Sequence, residues 1–243
     1  MMHGLRREHD CRAMAAPGLP MNLKKKAPSS ATPAGAPRRR RKDERPGEIA
    51  AAALQVFAEK GFAAARLDDV AKAAGVSKGT IYLYYPSKEA LFEAVVLNAF
   101  GPLLEQASHA AIDTERSCEE VLGFVIGAMY RQIVATKRRE IMRLVIAESS
   151  RFPHLVEFYH REAISRGKSI MSVILQRGVA SGEFRDCLAI RHPEIVMGPV
   201  VLAVIWKLVF DPIEPLDLEH HVQAHLDLIL GGLRAHPARA DRQ

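Results

Sequence analysis

The chain has 243 residues, with 34 Lys+Arg against 28 Asp+Glu for a formal charge of +6, and is 48% hydrophobic and 26% charged. This is a globular composition, and it excludes a chain disordered over most of its length. No apolar run reaches the ~20 residues of a membrane span, because the longest, 195–210, contains Pro199 and Lys207. Cys11, Cys118 and Cys187 stand too far apart for a disulfide framework or a zinc site, which predicts a reducing, cytoplasmic setting.

The charge is unevenly placed. Residues 1–45 hold twelve basic and four acidic residues, so 22 and 24 remain for the rest of the chain. LKKKAPSSATPAGAP and RRRRK have too little apolar surface to offset the entropy of ordering, so 1–45 reads as a disordered basic arm. It lacks the apolar segment of a signal peptide. RRRRK suits a phosphate-seeking arm and a solvated tail equally, and Met21 is an alternative start.

From Pro46 the periodicity is helical and no segment has a strand's period of two, which predicts an all-α body. Pro46 at the first helical position and Glu48 open a helix with Ile49, Ala53, Leu54 and Phe57 on one face, ended by Gly61. A short helix is expected over 67–74, then a left-handed turn at Gly75, then an N-cap at Ser77 and a third helix over 78–84 closed by Pro86. The next helix starts after Ser87 and is expected to break at Gly101-Pro102. Ser117 with Glu120 forms a capping box for a helix to about residue 136, and 140–149 is another. Pro153 opens a long helix to about residue 179. The segment 192–210 is apolar on all sides and is expected to be buried, and 216–233 is amphipathic and ends the fold.

AKAAGVSKGTIYLYY carries the chemistry. Two short helices joined by a tight turn, with Ala71 at their crossing and Gly75 in the turn, match a helix-turn-helix. The second helix of such a pair enters the DNA major groove by its N-terminal residues, which places Lys78, Gly79 and Thr80 deepest, with the cap Ser77 a further DNA-contact candidate. Thr80 offers a hydroxyl or a methyl, and Lys78 can donate to guanine or phosphate. Ile81 and Tyr85 are expected inward, leaving Tyr82 and Tyr84 for DNA. Lys88 and the helix terminus beside it suit a phosphate, and Arg66 is a further phosphate candidate.

Over residues 61–95, including GVSKGTIY, the Tyr84-Tyr85 pair and Lys88, the chain resembles the DNA-binding domain of the TetR family of bacterial repressors. The resemblance implies a homodimer of about nine helices per chain, with a three-helix DNA-binding head and a ligand-binding, dimerising body. Ala65 and Arg66 depart from the Thr or Ser common before the family's second helix. The missing hydroxyl cap costs about 0.5–2 kcal/mol unless Asp68 or Asp69 compensates. Residues 143–185 resemble the C-terminal domain of AefR-like members.

The body is less specific. Met129, Met142, Phe158, Tyr159 and Trp206, with polar Arg143 and Glu148, are candidate ligand-lining residues. His221 and His225 share a helix face, but no third metal ligand accompanies them, so neither metal nor cofactor is expected. The last two helices are expected to form the dimer contact, with Gly198, Gly231 and Gly232 allowing close approach. No phosphate-binding loop, HExxH or nucleophile elbow points to an enzyme. The domains read as 1–45 arm, 46–100 helix-turn-helix domain, 101–235 regulatory and dimerisation domain, and 236–243 flexible tail. Two functions fit: a repressor released from a palindromic operator by a small apolar molecule, or a ligand-independent DNA-binding structural protein whose body takes a protein partner.

Overall fold

The computed structural model describes residues 37–235, with side chains from Arg45 onward. Most of the expected arm and the tail over 236–243 lie outside the described residues. The first helix, α1 (Pro37–Ala64), begins earlier than the sequence suggests. Proline's fixed φ lets Pro37 serve as a first-turn residue, and Arg and Lys are good helix formers, so Pro46 ends up inside the helix. The helical ladder breaks at Gly61, whose φ of +77 is costly for any residue with a Cβ.

α2 (Leu67–Ala73) and α3 (Lys78–Tyr84) follow, with Gly75 at φ +64 in the turn between them. Val70 and Ile81 are fully buried beside the aromatic cluster of Phe57, Phe62 and Phe92, whose rings lie between 5.4 and 6.4 Å apart. Asp69 makes good part of the missing cap on α2: its carboxylate accepts the Arg66 N–H at 3.2 Å.

α4 (Lys88–Ile112) begins under Ser87, whose Oγ accepts the Ala90 N–H at 3.1 Å. The break expected at Gly101-Pro102 does not occur. Pro102 and Asn98, the residue whose carbonyl loses its partner, both face solvent, while buried Phe100, Leu103 and Leu104 hold the helix to the core.

α5 (Cys118–Met129) opens with the expected capping box and passes into a π-helical turn, Tyr130–Val134. After α6 (Arg139–Glu148), the long helix predicted from Pro153 consists of α7 (Pro153–Tyr159), a second π-helical turn, His160–Ser165, and α8 (Arg166–Ala180). α9 (Leu188–Arg191), α10 (Pro193–Val209) and α11 (Leu218–Leu233) complete the body. Among the described residues there is no strand, only an isolated bridge between Phe184 and Arg234. Arg177 of α8 joins the end of α4 to the start of α5: it donates to the carbonyls of Ala111 and Asp113 at 2.8 and 2.7 Å, a cation at a helix C-terminus, and its Nε lies 3.0 Å from the Cys118 Sγ.

The expectation that 192–210 is buried on all sides is overturned. Val196, Val200, Ala203 and Val204 face the core, but Ile195, Leu202 and Val209 are exposed by 66%, 51% and 55%. The body within one chain covers only one side of this helix.

His225 of α11 is buried, and both its ring nitrogens are engaged. The Val196 carbonyl, 2.9 Å from Nε2, can only accept, so Nε2 carries the proton and Nδ1 accepts from the Tyr130 hydroxyl at 3.2 Å. Burial holds this imidazole below its ordinary pKa of 6.5. The stability it contributes is therefore complete above pH 6.5 and is lost as the pH falls, because the unfolded chain takes up the proton first. Exposed His220, raised by Asp217, acts in the opposite sense and weakly. The melting temperature is expected to drop on acidification below pH 6.5, and to drop less steeply in His225→Phe. Parallel slopes in thermal melts would assign the acid sensitivity to other groups.

Candidate DNA-binding face and effector cavity

In α3 each residue turns the helix by about 100°. Ile81 and Tyr85 are buried, as expected, and define the inward side. Two positions away, on the opposite side, stand Gly79 and Leu83, the latter 76% exposed. Lys78 and Tyr82 flank this ridge on one side and Thr80 on the other. The outermost apolar side chain is thus Leu83, which the sequence reading leaves unassigned, although the arithmetic that puts Ile81 inside puts Leu83 outside.

Ser77 caps α3, its Oγ accepting the Thr80 N–H at 3.1 Å and lying 2.8 Å from the Thr80 hydroxyl. Lys78 is exposed and paired with Asp68 at 2.9 Å, which raises its pKa. Tyr82 is exposed, and Tyr84 is half-buried with its ring 6.4 Å from that of Tyr85. Arg66 is exposed at the start of α2, where the neighbouring acids are already taken: Asp68 pairs with Lys78 and Asp69 with Lys60 at 2.8 Å.

Lys88 has work other than a phosphate. Its ammonium donates to the carbonyls of Phe62 and Ala63 at 2.6 and 3.0 Å and lies 4.6 Å from the centre of the Phe62 ring. It ties α4 to the end of α1. Lys88→Ala is accordingly expected to cost about 1.5–3 kcal/mol, the usual worth of hydrogen bonds from a charged donor. A thermal melt gives that loss, while the salt dependence of DNA binding is expected to stay unchanged. A slope reduced by about 1 per head with no loss of stability would return Lys88 to a phosphate.

The body contains an apolar cavity of about 100 Å³. It lies between α4 (Phe100, Leu103, Leu104), α8 (Ile170, Met171) and α10 (Met197, Val200, Val204), with α5, α6, the end of α7 and the two π-helical turns closing the rest. Of the candidates named from sequence, Met129, Met142 and Tyr159 line it, and Phe158, Trp206, Arg143 and Glu148 do not. Trp206 donates its indole N–H to the Glu214 carbonyl at 2.8 Å, and Phe158 is buried with the Arg161 guanidinium over its ring. A usable signal was present in the sequence. Every methionine beyond Met21, namely Met129, Met142, Met171 and Met197, borders this one cavity.

Arg143 and Glu148 instead join α6 to the head. The Arg143 guanidinium donates to the Ala58 carbonyl at 2.5 Å, and Glu148 accepts the Ala63 N–H at 3.2 Å. The Phe152 ring meets Phe62 edge-on at 5.0 Å. One turn of α6 therefore presents Met142 to the cavity and Arg143 to α1.

The model of the tetR family of bacterial regulatory proteins matches residues 49–95, and that of the AefR-like transcriptional repressor C-terminal domain matches residues 120–229. The HTH-type transcriptional repressor KstR2 of Mycolicibacterium smegmatis is 30% identical over 188 residues, which span 76% of this chain and 89% of that protein. The chain belongs to the TetR family. A second TetR-family relative, the fatty acid metabolism regulator protein of Bacillus subtilis, is 26% identical over 76% of this chain and 94% of its own length. The structure of the fatty acid degradation regulator FadR from Bacillus halodurans superposes with a TM-score of 0.66 at 26% identity, covering 77% of this chain and 98% of that one. The protein is a DNA-binding transcriptional regulator of this family, which is not a family of enzymes. Among its described residues no helix is long and apolar enough to cross a membrane.

Proposed function

We propose that this TetR-family chain is a cytoplasmic repressor that binds a near-palindromic operator as a homodimer and leaves it when a small apolar molecule enters the cavity. The observation that carries this reading is that α4 and α6 each belong to both places. α4 holds Phe92 and Val96 in the head's core and Leu103 and Leu104 at the cavity, while α6 turns Met142 to the cavity and Arg143 to α1. A ligand that moves either helix moves the head with it. The relatives named for fatty acid metabolism favour an effector with an acyl chain. The exposed side of α10, continued by Leu228 of α11, is the face for a second copy, and nothing lies within 4 Å of a Cβ built at Gly198, Gly231 or Gly232. Half-sites then lie about one helical turn, ~34 Å, apart.

The test is thermodynamic. Coupling is reciprocal, so saturating operator must weaken ligand affinity by the factor by which ligand weakens operator affinity. Calorimetric ligand titration with and without operator measures this, and an affinity indifferent to DNA would leave the ligand with no regulatory role.

At the DNA, Gly79 lets the backbone of α3 approach the bases, and Leu83 is the side chain left facing the groove. The apolar feature of a base pair there is the thymine methyl. Replacing thymine by uracil at the contacted position is expected to cost wild type about fourfold, the worth of one buried methyl group at ~0.8 kcal/mol, and to cost Leu83→Ala almost nothing. Equal sensitivity of both proteins would take Leu83 out of base readout.

A further inference from the structure

The cavity is lined by apolar side chains with one exception. Tyr159 is 7% exposed and borders the cavity, and its hydroxyl makes no hydrogen bond to any described residue. Buried polar groups in folded proteins are nearly always paired, so a hydroxyl left free inside a protein invites a partner. Tyr130, the other deeply buried tyrosine of the body, obeys that rule through His225. Tyr159 is also held firmly, its ring edge-on to Phe100 at 5.6 Å.

A second, independent feature points to the same place. Both π-helical turns among the described residues supply the cavity wall, Ile133 from Tyr130–Val134 and Ala163 and Ile164 from His160–Ser165, with Tyr159 immediately before the second. Such turns are strained relative to the α-helix and recur at functional sites, where the extra residue re-aims neighbouring side chains.

We propose that the Tyr159 hydroxyl is the polar anchor of the effector site and selects an uncharged, largely aliphatic molecule carrying a hydrogen-bond acceptor such as a carbonyl oxygen. This rests on the reading that the cavity holds the effector. No charged side chain borders the cavity, so an ionised group placed there would be desolvated without compensation and is excluded. Burial pushes the Tyr159 pKa up to about 12, so the hydroxyl remains a donor at any physiological pH. At about 100 Å³ the space is smaller than the roughly 150 Å³ engineered cavity that admits benzene. It therefore suits a short chain as it stands and a longer one if the flexible side chains of Met129, Met142, Met171 and Met197 repack.

The test uses the full-length protein and two probes of the same shape, pentyl methyl ketone and the alkene that carries C=CH₂ in place of its C=O. Titration calorimetry is run on wild type, Tyr159→Phe and Ala163→Leu. Wild type is expected to prefer the ketone. Tyr159→Phe is expected to lose about tenfold on the ketone, the scale of one hydrogen bond in a dry site, while binding the alkene as well as wild type or better. Ala163→Leu, which fills the cavity from the second π-helical turn, is expected to abolish both. If Tyr159→Phe binds the ketone as wild type does, the anchor is refuted while the cavity stands as the effector site. If wild type binds neither probe, or Ala163→Leu binds both normally, the cavity reading itself falls, and this proposal with it.

Discussion

Leu202→Glu combined with Ile205→Glu is expected to leave the protein monomeric and to cut operator affinity on the order of 10³-fold. The two residues lie one turn apart on the uncovered side of α10, exposed by 51% and 36% in the single chain. Carboxylates there meet water in the monomer and cost the fold little. In the proposed dimer they would be buried in an apolar seam, where an unpaired charge costs several kcal/mol. A helix-turn-helix dimer builds its specific affinity from two half-sites, so a monomer retains one recognition helix and forfeits most of the binding energy. Sedimentation and gel-shift measurements on the same preparation test both statements. A dimer that survives the double substitution would move the interface to another face.

Gly79→Glu is expected to abolish operator binding, by at least about 100-fold, while leaving the melting temperature unchanged or higher. Only the Ser77 Oγ, at 3.9 Å, comes near a Cβ built at Gly79, so the substitution meets no steric cost. A residue with a side chain also gains about 0.5–1 kcal/mol over glycine inside a helix. The carboxylate would stand on the ridge facing the DNA, holding α3 away from the base edges and repelling phosphates. Opposite signs on stability and binding separate this outcome from that of a core change such as Ile81→Ala, which should cost both together, about 2–5 kcal/mol in stability. Operator affinity within a few fold of wild type in Gly79→Glu would mean that α3 presents another face to DNA.

In the head, Lys60 and Lys78 are paired with Asp69 and Asp68, and Lys88 is occupied by backbone carbonyls. Arg66 and Lys72 are exposed outside these pairs. Residues 1–45 carry a net +8, so their removal is expected to weaken DNA binding mainly at low salt if they take part in it.

Local signals were legible wherever neighbours along the chain decide the outcome. The turn at Gly75, the caps at Ser77 and Ser117, the helix start after Ser87, and the inward pair Ile81 and Tyr85 follow from φ preferences, capping chemistry and helical period, all of which act within about four residues. The helix-turn-helix and its family were readable for the same reason: the motif is short and continuous. Arg143, Glu148 and Lys88 were not assignable in this way, since each takes its role from a residue far along the chain. Arg143 reaches Ala58 and Glu148 reaches Ala63, 85 positions away, and no periodicity reports a partner at that distance.

By itself the sequence determined that this protein is all-helical from Pro46 to the final helix, that its head is a helix-turn-helix, and that its excess charge lies ahead of that head. Tertiary structure alone decided that α4 runs unbroken past Pro102, that α10 keeps an apolar side uncovered, and that four methionines converge on one cavity bordered by Tyr159. The physical reason is the range of the forces involved. Backbone hydrogen bonding and capping are settled by near neighbours, whereas burial depends on which distant helices arrive at the same place.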